Sequence, residues 1–170
     1  MIKPTMYYKN IDSINYKKLK KEGIKCLVFD LDNTLALLDE ITPSEKLINT
    51  IVALKEEFDV FIVTNSPKKR TEPYKKLLDI EIISFALKPL TKSLRKIKRK
   101  YKYKKEEMIM IGDQFMTDIL SGRNFGIKTI LVDPLAEKDL KITKINRIIE
   151  NRFLRRYLKK GLFERGKYYE

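Results

Sequence analysis

Phe29-Asp30-Leu31-Asp32-Asn33-Thr34-Leu35 closes the apolar run Cys26-Leu27-Val28-Phe29 and sets two carboxylates two residues apart where that run ends. Four consecutive apolar residues without helical period predict a short buried strand. At i and i+2, Asp30 and Asp32 can both face one ligand beyond the carboxyl end of that strand, where open α/β sheets bind their ligands. Asp-Asn-Thr supplies the turn chemistry that frees the chain from the sheet. Two acids alone would equally suit a strand that runs into a capped helix, so the remainder of the chain has to decide.

Working outward, the same pattern recurs. Pro43 opens a helix to about Glu57, with Leu47, Ile51 and Leu54 along one face. Val60 to Val63 is a second buried strand and ends in Thr64-Asn65-Ser66-Pro67. A helix over 70–78, a weaker strand from Ile80 to Phe85 and a helix from Pro89 to Lys100 follow. Met108 to Ile111 is a fourth strand, stopped by Gly112-Asp113. A helix from Phe115 to Phe125, stopped by Gly126, leads to a fifth strand from Lys128 to Val132. Strands alternating with helices predict an α/β fold of three layers around a parallel five-stranded sheet. Residues 1–24 read as a polar, lysine-rich lead-in, and residues 143–160 as a terminal helix in which Ile145, Ile149, Phe153 and Tyr157 recur every fourth position. The expected organisation is one domain over 1–170, with a basic N-terminal lead-in and a C-terminal helix.

Composition narrows the chemistry. The chain has no histidine, which removes His-containing zinc sites, Ser-His-Asp triads and any histidine general base. The single cysteine, Cys26, cannot form an internal disulfide and falls in the first buried strand, where an inert core thiol is expected. No window reaches the roughly 18 apolar residues that cross a bilayer, and no signal peptide is visible, so a cytoplasmic location is expected. The net charge of +14 invites an anionic partner. That signal is weak, because 28 of the 37 basic residues are lysine, whereas close reading of phosphate geometry favours arginine.

Four strand ends carry polar groups: Asp30 and Asp32, Thr64, Lys88, then Asp113 and Asp118. Parallel strands bring their carboxyl ends to one edge, so these groups converge. Two carboxylates at about 5 Å repel by roughly 3 kcal/mol at an effective dielectric of 20. Acids gathered in this way call for a hard divalent cation, most naturally Mg²⁺. A lysine and a hydroxyl beside them would hold the oxygens of a phosphate.

These residues resemble the haloacid dehalogenase (HAD) superfamily. Asp30-x-Asp32-x-Thr34 is similar to its first motif, Thr64 to its second, Lys88 to its third and Gly112-Asp113-x-x-x-x-Asp118 to its fourth. The resemblance implies a Rossmann-like HAD core and a role for each position. Asp30 would be the nucleophile that forms an aspartyl-phosphate. Asp32 would be the general acid for the leaving oxygen and then the base for water. Thr64, Asn65 and Lys88 would bind phosphoryl oxygens. Asp30, the Asp32 carbonyl and Asp113 would ligate Mg²⁺, and Asp118 would support the metal or its water shell. An aspartate at position 32 is shared with phosphatases and phosphomutases of the superfamily, so hydrolysis of a phosphomonoester is implied. The intervals from Asp32 to Thr64 and from Thr64 to Lys88 are too short for a cap domain. An uncapped site suits a phosphate borne on something large.

A narrower resemblance runs along nearly the whole chain. Lys3-Pro4, Ile11 and Ile14, Leu19-x-x-x-Gly23-Ile24, Thr64-Asn65-Ser66, Ala86-x-Lys88-Pro89, Gly112-Asp113-Gln114-x-x-Thr117-Asp118 and Thr143-Lys144-Ile145-Asn146-Arg147 are similar to the YqeG-type, class IIIA branch. That branch is similar to mitochondrial-type phosphatidylglycerophosphatases, which implies an anionic lipid headgroup as the substrate and a peripheral place at the inner face of a membrane. Two other readings stay open. Lys98-Arg99-Lys100-Tyr101-Lys102-Tyr103-Lys104-Lys105 interleaves basic and aromatic residues and suits a nucleic-acid substrate. The fold could also serve as a non-catalytic RNA-binding module.

Overall fold

The computed structural model describes residues 3–136, 164 and 166–170. In chain order the elements are β1 (Met6–Tyr8), α1 (Tyr16–Lys21), β2 (Cys26–Phe29), α2 (Glu45–Lys55), β3 (Asp59–Val63), α3 (Lys68–Leu78), β4 (Glu81–Ile83), α4 (Lys92–Tyr101), β5 (Met108–Gly112), α5 (Leu120–Phe125) and β6 (Lys128–Val132). The strands form one parallel sheet in the order β1-β6-β5-β2-β3-β4. This is the three-layer, Rossmann-like arrangement expected, and among the described residues no cap domain is inserted.

The layers follow from the two-residue period of strands. Leu27 and Phe29 of β2, Val60 and Ile62 of β3 and Ile109 and Ile111 of β5 face one side, where Leu19 of α1, Leu47, Ile51 and Leu54 of α2, and Tyr74 and Leu78 of α3 cover them. Cys26 and Val28, Phe61 and Val63, and Met108 and Met110 face the other side, beneath Leu94 and Ile97 of α4 and Phe125 of α5. Helix α2 shows the local logic. Ser44 caps it by accepting from the Leu47 N–H at 3.2 Å. Its i, i+4, i+7 aliphatics are all buried, each worth about 1.5–3 kcal/mol relative to exposure. Cys26 is fully buried, and burial pushes its thiol well above the usual range.

The sheet has six strands rather than five. The additional one, β1, comes from the lead-in, which is therefore more than a polar extension. Met6 and Tyr8 pair in register with Ile130 and Val132 of β6, and Tyr7, Ile11, Ile14 and Leu19 are buried. Residues from the far end of the chain close the same edge. The Tyr7 N–H donates to the Tyr169 carbonyl at 2.8 Å, and the Tyr169 N–H donates back at 3.0 Å. A second difference concerns 115–125, which is one wide π-turn over Phe115–Ile119 followed by α5. The helix expected over 143–160 lies outside the described residues.

Strand β2 is central, with β3 on one side and β5 on the other; Phe29 stands level with both Ile62 and Ile111. The chain leaves β2 for β3 and β4 on one side, and the crossover after β4 returns past β2 to β5 on the other. The order therefore reverses at β2 and opens a crevice beyond the carboxyl ends of these three strands.

Candidate active site

Asp30 is the first residue beyond β2, and its N–H still bonds to the Ile111 carbonyl of β5 at 2.8 Å. The chain then turns sharply. Asn33 takes a left-handed conformation (φ 63°), which asparagine tolerates better than most side chains. The Leu31 carbonyl accepts from Leu35 at 2.9 Å and Ala36 at 3.1 Å. The turn leaves Asp30 and Asp32 on neighbouring sides of the crevice and sends Thr34 back beneath it.

The buried half of the site is a cluster of charges. Lys88 Nζ lies 2.6 Å from Asp30 Oδ1 and 2.7 Å from Asp118 Oδ1, with all three side chains nearly inaccessible. Thr34 Oγ1 donates to Asp113 Oδ1 at 3.0 Å. Asp118 Oδ2 accepts from the Gln114 N–H at 3.1 Å. The π-turn carries Asp118 back against the end of β5, and this close approach is possible only because position 112 is glycine. A Cβ there would stand 2.3 Å from Asp118 Oδ2 and 2.4 Å from its Cγ.

Electrostatics show what the cluster suits. Burial pushes the Asp30 carboxyl up to about 7, with Asp118 adding to the rise and Lys88 opposing it. Burial, then the Asp118 and Asp30 charges, likewise hold Asp113 well above the usual carboxylate range. Burial lowers the proton affinity of Lys88, but the Asp118 and Asp30 charges and hydrogen bonds outweigh it and place that ammonium above the usual lysine range. Three buried carboxylates thus face one ammonium. Asp30, Asp113 and Asp118 can each offer an oxygen within 4.8 Å of the others. An all-oxygen set with excess negative charge fits a hard divalent cation.

The outer half is built on Asp32. Ser66 donates its hydroxyl to Asp32 Oδ2. Arg70, in the first turn of α3, approaches Asp32 Oδ1 through Nε at 3.1 Å and Nη2 at 3.0 Å. The same guanidinium donates to the carbonyls of Glu40 at 2.6 Å and Leu37 at 2.9 Å. Thr64 is buried, and its hydroxyl accepts from the Ser66 N–H at 3.1 Å. The Asn65 side chain accepts from the Lys88 N–H at 2.7 Å and donates to the Lys88 carbonyl at 3.2 Å.

The structure therefore gathers Asp30, Asp32, Thr64, Asn65, Lys88, Asp113 and Asp118 at one sheet edge. Within it the Asp32 carboxylate stands with Ser66 and Arg70, outside the group of three acids. The Asn65 amide is engaged with the backbone that carries Lys88. Sequence reasoning missed Arg70, one arginine among 37 basic residues. Its position four residues after Ser66, at the start of a helix that follows a strand end, is the only signal that could have found it.

Comparison with known proteins agrees with this picture. Residues 1–136 match the family described as mitochondrial PGP phosphatase. The chain is 38% identical over 159 residues to a Bacillus subtilis protein named "Probable phosphatase YqeG", covering 93% of this chain and 92% of that one. It is 28% identical over 171 residues to phosphatidylglycerophosphate phosphatase 1, chloroplastic/mitochondrial, of Arabidopsis thaliana, and spans 49% of that protein's length and 94% of its own. Among solved structures, YfnB of Bacillus subtilis, assigned to the HAD hydrolases and bound to magnesium, shares the fold with a TM-score of 0.51 and 14% identity, over 69% of this chain and 90% of that one. No described helix is long and apolar enough to cross a membrane.

Proposed function

This chain belongs to the mitochondrial PGP phosphatase family and is a HAD-type phosphatase, and from that premise we propose that it hydrolyses phosphatidylglycerophosphate to phosphatidylglycerol through an aspartyl-phosphate on Asp30, with Mg²⁺ as its metal. The observation that carries the chemistry is the buried Asp30–Lys88–Asp118 ion cluster with Asp113 beside it and Asp32 two residues from Asp30.

In the first step an Asp30 carboxylate oxygen attacks phosphorus, and the bond from phosphorus to the ester oxygen breaks. Asp32 gives a proton to that leaving oxygen. In the second step Asp32 takes a proton from water, whose oxygen attacks phosphorus while the acyl-phosphate P–O bond breaks and frees Asp30. Lys88, fixed by Asn65 through its own backbone, offsets charge on Asp30 and on the phosphoryl oxygens, and Thr64 offers a hydroxyl to one of those oxygens. Mg²⁺, held by Asp30 and Asp113 with Asp118 behind them, would neutralise the transferring group. The lipid substrate is supported by the family and by the Arabidopsis relative's name. The open crevice also favours it, since one helix alone joins β2 to β3.

The test is phosphate release from phosphatidylglycerophosphate by purified protein, with a 5′-phosphorylated oligonucleotide as the competing substrate. Release should require Mg²⁺ and stop with EDTA. Asp30→Asn and Asp32→Asn should each lose at least about 10³-fold in turnover, because nucleophile and acid/base cannot replace one another. Turnover in EDTA, or an Asp30→Asn protein that keeps its activity, would end the mechanism; preference for the oligonucleotide would end the substrate assignment.

A further inference from the structure

Beside the crevice, the segment from Ile83 to Leu90 and the solvent face of α4 enclose an open groove of about 720 Å³. Three large apolar side chains stand exposed on its rim: Phe85 at 58%, Leu87 at 66% and Leu90 at 60%. Between them Ala86 and Lys88 turn inward and are buried. Phe85 and Leu87 both hold left-handed backbone (φ 49° and 55°), a conformation that bulky side chains disfavour and glycine or asparagine would adopt more easily. Neither burial nor backbone geometry rewards these residues where they are. Bulky apolar groups held outward on strained backbone mark a binding surface.

The charge beside them says what it binds. Lys92, Arg95 and Arg99 lie at i, i+3 and i+7 of α4 on its exposed side, opposite the buried Leu94 and Ile97. None of the three is ion-paired with a described carboxylate; Arg95 meets only the Thr91 hydroxyl, at 3.4 Å. We propose that Phe85, Leu87 and Leu90, together with Lys92, Arg95 and Arg99, form a docking face for an anionic phospholipid bilayer. This proposal rests on the lipid-phosphate reading of the site. The apolar tips enter the headgroup boundary while the basic stripe meets anionic headgroups. Lys88, between Leu87 and Leu90 in sequence and bonded to Asp30, brings the reaction centre to the same rim. A nucleic acid accounts for the basic stripe and for Phe85, but not for two exposed leucines, which have no base to stack upon.

Cosedimentation of the full chain with vesicles, in the absence of any phosphatase substrate, tests this face. Vesicles of phosphatidylcholine with about one-third phosphatidylglycerol should bind the protein at low salt and release it in about 0.5 M NaCl, and pure phosphatidylcholine should bind it weakly. The triple substitution Phe85→Asn, Leu87→Asn and Leu90→Gln keeps left-handed backbone accessible and should weaken vesicle binding at least about tenfold. The triple substitution Lys92→Gln, Arg95→Gln and Arg99→Gln, confined to an exposed helix face, should weaken binding and remove its salt dependence. Both proteins should retain the wild-type melting temperature and rate on p-nitrophenyl phosphate. Wild-type protein that ignores anionic vesicles, or apolar and basic variants that bind as well as wild type, overturns the proposal. So does conversion of a dimer to a monomer by the apolar substitutions, which would assign the face to a second copy. Hydrolysis of a short-chain, micelle-free phosphatidylglycerophosphate separates the two readings. Docking without that hydrolysis removes the substrate assignment, and hydrolysis without docking removes the face.

Discussion

Arg70 holds Asp32 and the loop that follows Asp32 with one guanidinium. Two of its nitrogens lie 3.0–3.1 Å from Asp32 Oδ1, and two reach the carbonyls of Leu37 and Glu40. Tyr74, one turn along α3, donates to the same Glu40 carbonyl at 2.9 Å. The orientation of the proposed acid/base group and the path of the turn are therefore set together from a single helix.

Arg70 is accordingly a positioning residue. Arg70→Gln should lower kcat by about 10- to 100-fold while KM changes by less than about threefold, because substrate contacts remain and only the proton-transfer geometry is loosened. Arg70→Lys should recover a part only, since an ammonium cannot reproduce the planar fork. Steady-state kinetics on a soluble aryl phosphate decide this. An effect on KM alone would show that Arg70 contacts substrate instead.

Lys88→Met should separate stability from activity. It leaves Asp30, Asp113 and Asp118 buried without their cation, a loss of about 3–5 kcal/mol for a broken buried pair. Denaturant melts in EDTA should show this loss at pH 8 and a smaller one at pH 5, where Asp30 carries a proton. Activity should fall at least about 10³-fold even in saturating Mg²⁺. A variant as stable as wild type in EDTA at pH 8 would contradict the charge balance described for the cluster.

The pH dependence of the metal-free protein has a definite sign. Burial first, and then Asp118, raise Asp30 from 3.8 to about 7, and Asp113 is raised as well. Folded protein thus holds these protons more tightly than unfolded protein. The Asp30 contribution to stability is complete below about pH 4 and is lost as pH rises through about 7, and Asp113 acts in the same direction. Melting temperature in EDTA should therefore decline from about pH 4 and level off above about pH 7, where Asp30 has ionised in the folded protein as well. Mg²⁺ competes with the same protons, so the gap between Mg²⁺ and EDTA melting curves should widen over that interval. A gap that stays constant would mean that neither carboxyl meets the metal.

Gly112→Ala puts a methyl where the Asp118 carboxylate lies. Overpacking of this kind costs about 1–3 kcal/mol. The sharper consequence should be functional, because displaced Asp118 also releases Lys88. A rise of at least about tenfold in the Mg²⁺ concentration needed for half-maximal activity is expected, measured by metal titration at fixed substrate. Unchanged metal dependence would show that Asp118 has no bearing on the cation.

Much of this architecture is legible in the sequence, and the reasons are specific. Strands β2, β3 and β5 are apolar on both faces, so each forms an uninterrupted run that ends at a polar turn, and the site acids sit in those turns. Edge strand β1 gave no such run. Met6-Tyr7-Tyr8 is three residues long, and its partner β6 is more than 100 residues away, so its pairing is a long-range fact without a local period. Lys88 was legible as a site residue, but its bonds to Asp30 and Asp118 were not, because they depend on how far the loop after β4 reaches across β2 and β5. Gly112 reads as a strand terminator; its second duty, leaving room for Asp118, exists only once the π-turn folds back.

The burial of Cys26 bears on the conditions under which such an enzyme can work. It is the only thiol in the chain, fully enclosed and four residues up β2 from Asp30, which is about 13 Å of extended backbone. The proposed chemistry uses carboxylates, an ammonium and hydroxyls, none of which peroxide oxidises, whereas a thiolate nucleophile is readily lost that way. Turnover should therefore be indifferent to oxidants and alkylating agents, and oxidative stress would leave this phosphatase running while cysteine-dependent phosphatases fall silent.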